Sequence, residues 1–146
     1  MEKLVRQILS LAFLLLASCD SANADVLKAE AELQPFTEEV MASVATGDFD
    51  AAFTTMKPFF VIPAAEIEAL AMNTKAQRGN VGGRFGKSIG YECVGMKKVG
   101  QSLVKITCIE KTEMHALPWV FYFYKTPAGW VLNSFNWNSD LTSLFE

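Results

Sequence analysis

Apolar residues recur at helical spacing in the first half of the chain. The clearest stripe comprises Leu33, Phe36, Val40, Met41 and Val44. Spacings of three and four place these residues on one face, which predicts a helix within residues 26–46. Asp48 is a favourable N-cap for a second helix over residues 48–56. Pro63 can begin a third helix over residues 63–77, whose apolar stripe is thin.

Runs of β-branched and aromatic residues dominate the second half. They cover residues 88–99, 102–113, 117–125 and 130–138, with short turn segments between them. This pattern predicts an antiparallel meander of four strands. Residues 140–145 can add a helical turn whose Leu141, Leu144 and Phe145 dock on the sheet. The expected fold class is therefore α+β, with N-terminal helices packed on a curved four-stranded antiparallel sheet.

The closing hairpin, residues 119–137, is the most aromatic stretch of the chain. If Lys125 lies opposite Trp130, Phe121 lies opposite Ser134. One face then carries Trp119, Phe121, Phe123, Trp130 and Leu132, and the other carries Tyr122, Tyr124, Asn133, Phe135 and Trp137. A sheet with apolar residues on both faces must be covered twice. Helices supply one cover, and a partner subunit, a ligand or the rest of the sheet supplies the second.

Two cysteines are predicted to form a disulfide within the first hairpin. A two-residue type II′ turn at Gly100-Gln101 would set Val99 opposite Ser102 and Cys93 opposite Cys108. In this register the cysteines form a hydrogen-bonded pair with Cα atoms ~5.5 Å apart. A disulfide closing a loop of this size stabilises by ~3 kcal/mol in the chain-entropy model.

The first 24 residues have the layout of a secretory signal. Basic residues precede an apolar run over residues 8–16, and small residues follow. The run is shorter than the ~20 residues of a membrane-spanning helix. Cleavage after Ala24 would release a soluble periplasmic protein. Alternatively, residues 16–19 (LASC) resemble a bacterial lipobox, in which Cys19 would carry the lipid and begin the mature chain.

Length and charge narrow the function classes. Residues 25–146 suffice for a single domain with one core. The formal net charge is −3, and removal of the signal leaves it unchanged. Without a cluster of lysines and arginines, nucleic acid is not expected as a partner. An exported destination, the periplasm or cell envelope, agrees with a disulfide.

The glycine-rich segment over residues 79–88 ends in GKS, like a phosphate-binding loop. The full motif needs a glycine five positions before Gly86, where this chain has Val81. It also needs a strand before and a helix after, and the predicted order here is the reverse. We therefore expect a flexible helix-to-strand connection and no nucleotide cofactor.

No catalytic or metal-binding constellation stands out. Glu92 and Glu110 alternate with apolar neighbours and are expected to face solvent. His115, the single histidine, is expected in a turn or at a sheet edge. One histidine without cysteine or aspartate partners does not make a zinc site. The sequence thus assigns no catalytic, cofactor-binding or metal-binding residue.

Two segments resemble a known superfamily. They are GDFDAAF at residues 47–53, and YFYK at residues 122–125 followed by GWVL at residues 129–132. Together, over roughly residues 26–139, they resemble the cone-shaped, cystatin-like superfamily of ketosteroid isomerase and nuclear transport factor two. The resemblance is narrower to small exported bacterial members without an assigned function.

The resemblance implies helices wrapped around a bent sheet to form a pocket, and dimerisation through the outer sheet face. Core or pocket residues would be Trp119, Phe121, Phe123, Trp130 and Leu132. The interface would comprise Tyr122, Tyr124, Asn133, Phe135 and Trp137. The isomerase branch uses an acidic base opposite oxyanion donors, and no residue here matches that pattern.

These observations favour an exported, non-enzymatic domain. It would bind a small apolar or amphipathic ligand or another protein of the cell envelope. Two alternatives stay open from the sequence: a cofactor-independent pocket enzyme of the isomerase or dehydratase type, and a structural homodimer without ligand.

Overall fold

The computed structural model describes residues 24–146, so Cys19 and all of the predicted signal segment except Ala24 lie outside this range. Three helices, α1 (Leu33–Ala45), α2 (Phe49–Met56) and α3 (Ala64–Phe85), precede four strands. The strands are β1 (Ser88–Val99), β2 (Leu103–Thr112), β3 (Ala116–Lys125) and β4 (Trp130–Trp137). They form one antiparallel sheet in the order β1-β2-β3-β4, which confirms the α+β fold class.

Helix α1 begins later than the sequence predicts. The chain before it is extended: Leu27 N donates to Trp130 O at 2.9 Å, and Trp130 N donates to Leu27 O at 2.8 Å. A short 3-10 turn, Glu30–Glu32, then leads into α1. The predicted apolar stripe of α1 is buried in full. The N-terminal segment therefore extends the sheet edge at β4 instead of adding turns to the helix.

Helix α2 has the predicted bounds. The Asp48 carboxylate accepts a hydrogen bond from Ala51 N at 2.9 Å, which is the N-cap interaction expected of this residue. Gly47 before it has φ of 77°, a conformation that glycine adopts without steric cost. Ala52, Phe53 and Met56 are buried against the sheet side of the core.

Helix α3 corrects the expected glycine-rich connection, because it continues through Gly79, Gly82 and Gly83 to Phe85. Its buried or partly buried stripe comprises Ile67, Leu70, Ala71, Thr74, Arg78, Val81 and Phe85. These residues keep helical spacing to the end of the helix. Gly86, with φ of 85°, terminates the helix. Anchoring by Arg78, Val81 and Phe85 offsets the low helix propensity of the glycines.

The first hairpin pairs Cys93 with Cys108, and their sulfur atoms are 2.02 Å apart in a disulfide. The turn is one residue longer than predicted, because Val99 pairs with Leu103. A β-bulge between Cys93 and Gly95 compensates for the extra residue. The Cα atoms of the two cysteines are 3.8 Å apart, closer than the ~5.5 Å expected of a hydrogen-bonded pair.

The closing hairpin has the predicted register at its turn, where Lys125 pairs with Trp130 and Phe123 with Leu132. A β-bulge follows between Tyr122 and Phe123, so that Phe121 pairs with Phe135 and Trp119 with Trp137. Since a shift of one residue turns every later side chain to the opposite face, Phe135 and Trp137 face the core. Their expected place on the outer face is wrong.

The core lies between the helices and the inner face of the sheet. Trp119, Phe121, Phe123, Trp130 and Leu132 are all fully or almost fully buried there. Trp119 stacks on Phe135 and on Trp137, with ring centroids 5.8 Å and 5.7 Å apart. A 3-10 turn, Thr142–Leu144, closes the described chain, and Phe145 is exposed instead of docked. No helix within residues 24–146 is long and apolar enough to cross a membrane.

Candidate functional site

The candidate site is a cleft of about 680 Å³ beside the C-terminal half of α3. Its other walls are the α1–α2 turn, the α3–β1 connection and the C-terminal end of β2. Pockets for small organic ligands usually measure about 300–1,000 Å³, so the cleft has the right size for one.

A buried ion pair forms the floor of the cleft. Glu110 on β2 is fully buried, and Arg78 on α3 is 6% exposed. Arg78 Nη2 and Nε donate to Glu110 Oε1 at 2.7 Å and 3.0 Å. Trp119 Nε1 donates to Glu110 Oε2 at 3.1 Å. Burial of either charge without the other would cost several kcal/mol, so the two side chains depend on each other.

Glu110 corrects the expectation of a solvent-facing glutamate. Strand alternation places it on the same face as Cys108 and Thr112, which are also buried. Arg78 follows buried Ile67 by about three helical turns, so it lies on the inward face of α3. The period-two alternation of β2 and the helical spacing of α3 were the sequence features that could have indicated burial of both side chains. They were missed because charged residues are seldom fully buried unless they are paired.

Where α3 lines the cleft, glycine leaves space that a side chain would fill. A glycine inside a helix costs about 1 kcal/mol relative to alanine. Yet a Cβ atom at Gly79 or at Gly83 would meet nothing within 4 Å. Packing therefore does not require glycine at either position. Gly79 lines the cleft and Gly83 does not, so the lack of a side chain at residue 79 directly enlarges the cleft.

An aromatic side chain forms the apolar wall. Phe49, the first residue of α2, stacks on Trp119 with ring centroids 6.4 Å apart and an interplanar angle of 22°. Phe49 is half-buried and lines the cleft. At the rim, Lys75 Nζ lies 2.8 Å from Asp50 Oδ1 in an exposed salt bridge. The cleft thus offers an aromatic surface next to charged groups.

The opposite lip is built by the α3–β1 connection. Lys87 N donates to Glu113 Oε2 at 2.9 Å, and a Cβ atom at Gly86 would collide with the Glu113 side chain. Ser88 Oγ is enclosed and has no hydrogen-bond partner within residues 24–146. A buried hydroxyl without a partner costs about 1–3 kcal/mol. The lip therefore holds a polar group that an additional hydrogen-bonding atom would stabilise.

Basic and acidic side chains both surround the cleft. Its lining includes Lys75, Arg78 and Lys87, against the carboxylates of Glu110 and Glu113. Within the described chain, the side chain of Lys87 makes no salt bridge. The three basic side chains of the lining are balanced by its two carboxylates and by Asp50, which pairs with Lys75 at the rim.

The residues singled out from the sequence do not meet in this cleft. The five inner-face residues of the closing hairpin lie in the core, and only Trp119 reaches the cleft floor through its indole nitrogen. On the outer face, Tyr122 and Tyr124 are 37% and 44% exposed. Asn133 is exposed at the bulge. Phe49 and Lys75 come from helices that the sequence predicted, whereas the glycines and Lys87 come from the segment predicted as a loop, and Glu110 from a strand on which it was expected to face solvent.

His115 lies in the turn between β2 and β3. Its ring stacks on Phe85 with centroids 4.3 Å apart, and its Nε2 atom lies 3.0 Å from Ser139 O. These contacts attach the end of α3 and the C-terminal tail to the turn. They give His115 a structural role at the edge of the sheet.

Residues 24–146 contain no group of three or more histidine, cysteine or acidic side chains placed to hold a metal ion. Hydrogen bonds from Thr142, first from its hydroxyl and then from its backbone N–H, lower the pKa of Asp140. Asp140 lies in the C-terminal tail and does not line the cleft.

Comparison with known proteins adds no relative. No protein-family model, no curated protein and no solved structure matches this chain. Any function proposed for the protein therefore depends on the geometry of the cleft.

Proposed function

We propose that this protein is an exported domain that binds a small amphipathic ligand in the cleft beside α3. The observation that carries the proposal is the open wall at Gly79, where glycine lowers helix stability and no neighbouring atom requires it. Space kept free of a side chain, at the expense of helix stability, is a feature expected of a binding site.

The cleft lining suggests how such a ligand would lie. Its apolar part would rest on the Phe49 ring, which already stacks on Trp119. Its polar end would face Lys87 and the Arg78 guanidinium. Nε and Nη2 of Arg78 bind Glu110, while Nη1 has no hydrogen-bond partner among the described residues. An anionic or hydrogen-bond-accepting head group would be complementary to these donors.

Non-enzymatic binding is favoured over catalysis because the Glu110 carboxylate is buried and already hydrogen-bonded. A general base must be within reach of a substrate proton. Here Arg78 and Trp119 occupy both carboxylate oxygens, and the side chain is fully buried. An isomerase or dehydratase with Glu110 as its base would first have to break the buried ion pair.

We further propose export to the cell envelope and membership of the cone-shaped superfamily. The Cys93–Cys108 disulfide agrees with an oxidising compartment. Helices followed by a four-stranded meander agree with the superfamily layout. A ligand is preferred to a sheet-to-sheet dimer, since Phe135 and Trp137 are turned towards the core.

A matched pair of variants tests the cleft. Gly79→Leu places a side chain in it, whereas Gly83→Leu places the same side chain on the same helix outside it. The probe is anilinonaphthalene sulfonate, an aromatic anion. We expect the natural chain and Gly83→Leu to enhance its fluorescence alike, and Gly79→Leu to lose at least tenfold in affinity, about 1.4 kcal/mol.

Native mass spectrometry of the purified protein, with extraction of bound molecules, complements the probe. A co-purifying amphiphile that Gly79→Leu loses and Gly83→Leu retains would support the proposal. Equal probe binding by both variants would refute the cleft as the site. Turnover of an extracted molecule would instead establish the enzymatic alternative.

A further inference from the structure

The outer face of the sheet ends in two rows of side chains at the hairpin turns. The last row consists of Val99, Leu103 and Tyr124, which are paired across β1, β2 and β3. The row behind it consists of Lys97, Lys105 and Tyr122, paired in the same way. We call these six residues the hairpin tip.

In the hairpin tip, the row nearest the turns exposes apolar side chains, and the next row carries two lysines. Val99 is 68% exposed, Leu103 46% and Tyr124 44%. Lys97 lies directly opposite Lys105, a like-charge pairing that destabilises a sheet unless an anion offsets it. Glu146 borders the same depression as these lysines, yet none of the salt bridges within residues 24–146 joins them.

This order of residues matches the layers of a membrane surface. Apolar side chains enter the boundary of the acyl chains, and tyrosines sit at head-group depth. Lysines behind them lie where anionic lipid head groups attract positive charge. In the hairpin tip the two layers are separated by one strand repeat of two residues, about 7 Å.

The N-terminus of the described chain lies at the same end of the sheet. Leu27 pairs with Trp130, the first residue of β4, next to the β3–β4 turn. Only five residue steps separate Cys19 from Ala24. An extended chain covers at most ~3.6 Å per residue, so a lipid on Cys19 would hold Ala24 within ~18 Å of the acyl chains.

The patch is too small to join two copies of the chain. Three strands span about 10–15 Å and two rows about 7 Å, a surface of roughly 70–105 Å². A stable interface buries about 800 Å² on each partner. The C-terminal tail, with Ser143 and Leu144, borders the adjoining part of the outer face and limits the area further.

We propose that the hairpin tip docks on the anionic phospholipid surface that holds a lipid anchor at Cys19. This inference rests on the lipobox interpretation of residues 16–19 and is independent of the ligand cleft. Val99, Leu103 and Tyr124 enter the interface, and Lys97 and Lys105 contact the head groups. Docking would orient the cleft, at the other end of β2, away from the membrane.

The test uses the full precursor, exported and processed in a bacterial host. Intact mass first reports whether Cys19 is acylated. Leu103→Cys and Met72→Cys are labelled in separate preparations with an environment-sensitive nitrobenzoxadiazole dye, which leaves the disulfide intact. Met72 is 72% exposed on α3 and serves as the reference position. Both proteins are placed on phosphatidylcholine vesicles with and without phosphatidylglycerol.

We expect the dye at residue 103, and not at residue 72, to shift to shorter wavelength on vesicles with phosphatidylglycerol. Lys105→Ala should lower the ratio of docked to undocked protein about fivefold, the effect of one lysine at an anionic surface. Lys111→Ala, on the same strand and face but six residues away, should leave it unchanged.

Several outcomes would overturn the proposal. They are a mature chain that starts at Asp25 without acyl groups, equal spectra at residues 103 and 72, and equal effects of Lys105→Ala and Lys111→Ala. A shift at residue 103 that appears without lipid as protein concentration rises would assign the tip to a second copy instead. Failure of any of these tests leaves the cleft and its probe-binding result unaffected.

Discussion

Two salt bridges on α3 have similar geometry and opposite surroundings. Arg78 Nη2 lies 2.7 Å from Glu110 Oε1, and Lys75 Nζ lies 2.8 Å from Asp50 Oδ1. The side chains of the first pair are 7% and 0% exposed, and those of the second are 45% and 79% exposed. Lys75 and Arg78 lie less than one helical turn apart on α3, and both line the same cleft.

The difference shows that distance alone does not set the value of an ion pair. In the exposed pair, water screens the attraction and the long side chains lose entropy, so the net contribution is about 0–1 kcal/mol. In the buried pair, removal of one partner leaves an uncompensated charge and costs about 3–5 kcal/mol. The Arg78–Glu110 pair is therefore expected to contribute much more to the attachment of α3 to β2 than the Lys75–Asp50 pair contributes at the rim.

The largest expected effect follows removal of the buried negative charge. Glu110→Gln should lower the free energy of unfolding by about 3–5 kcal/mol, since Arg78 would remain charged and buried. Adding Arg78→Met should recover at least half of this loss, because it removes the unpaired buried charge. In both variants the amide oxygen introduced by Glu110→Gln can still accept a hydrogen bond from Trp119. Urea denaturation measures both. A double variant as unstable as Glu110→Gln would mean that packing, and not charge, dominates the cluster.

Loss of the disulfide is the next largest effect. Cys108 lies two residues before Glu110 on the same face of β2, so the disulfide braces the strand that carries the buried carboxylate. Replacement of both cysteines by alanine should lower the free energy of unfolding by about 3 kcal/mol for a loop of this length.

Thiol labelling and a double-mutant cycle sharpen this prediction. The unreduced natural protein should show no reactive thiol at Cys93 or Cys108 after unfolding. The coupling between Arg78 and Glu110 should persist in the variant without the disulfide. Disappearance of that coupling would show that the disulfide positions the ion pair.

Smaller effects distinguish the two sides of α3. Gly83→Ala should raise the free energy of unfolding by about 1 kcal/mol, because its new methyl group meets nothing and alanine favours the helix. Gly82→Ala should gain less, since its Cβ would lie 3.3 Å from Arg78 Nη1. Thermal unfolding of the two variants gives the comparison. Equal gains would indicate that the Arg78 side chain can move aside freely.

The smallest effect is expected at the exposed pair. Lys75→Ala should change the free energy of unfolding by less than about 1 kcal/mol, and the change should shrink as salt is added. Denaturation at low and high ionic strength measures it. A loss comparable to that of Glu110→Gln would contradict the contrast between buried and exposed pairs.

Local sequence patterns predicted much of the fold. The α1 stripe, the Asp48 cap and the two hairpins depend on neighbouring residues and on the periods of helix and strand, so they could be predicted. The pairing of Cys93 with Cys108 was also predicted, although from a turn one residue too short. The bulge before Gly95 compensated for that difference.

The candidate site could not be predicted in the same way. Phe49 and Lys75 lie in predicted helices, but the ion pair at the floor joins Arg78, which lies just beyond the predicted third helix, to a glutamate interpreted as exposed. Arg78 and Glu110 are 32 positions apart in the chain, and each is favourable inside the protein only when the other is present. No pattern within either segment contains that information.

The sequence by itself determined the element types and their order, because helix stripes, strand alternation and caps act over a few residues. Only the tertiary structure decided which side chains of the closing hairpin face the core, and where α3 ends. A single β-bulge turned Phe135 and Trp137 from the outer face to the core, since side chains alternate with period two. Likewise, α3 crosses its glycines because contacts of Arg78, Val81 and Phe85 with the rest of the core exceed the cost of those glycines.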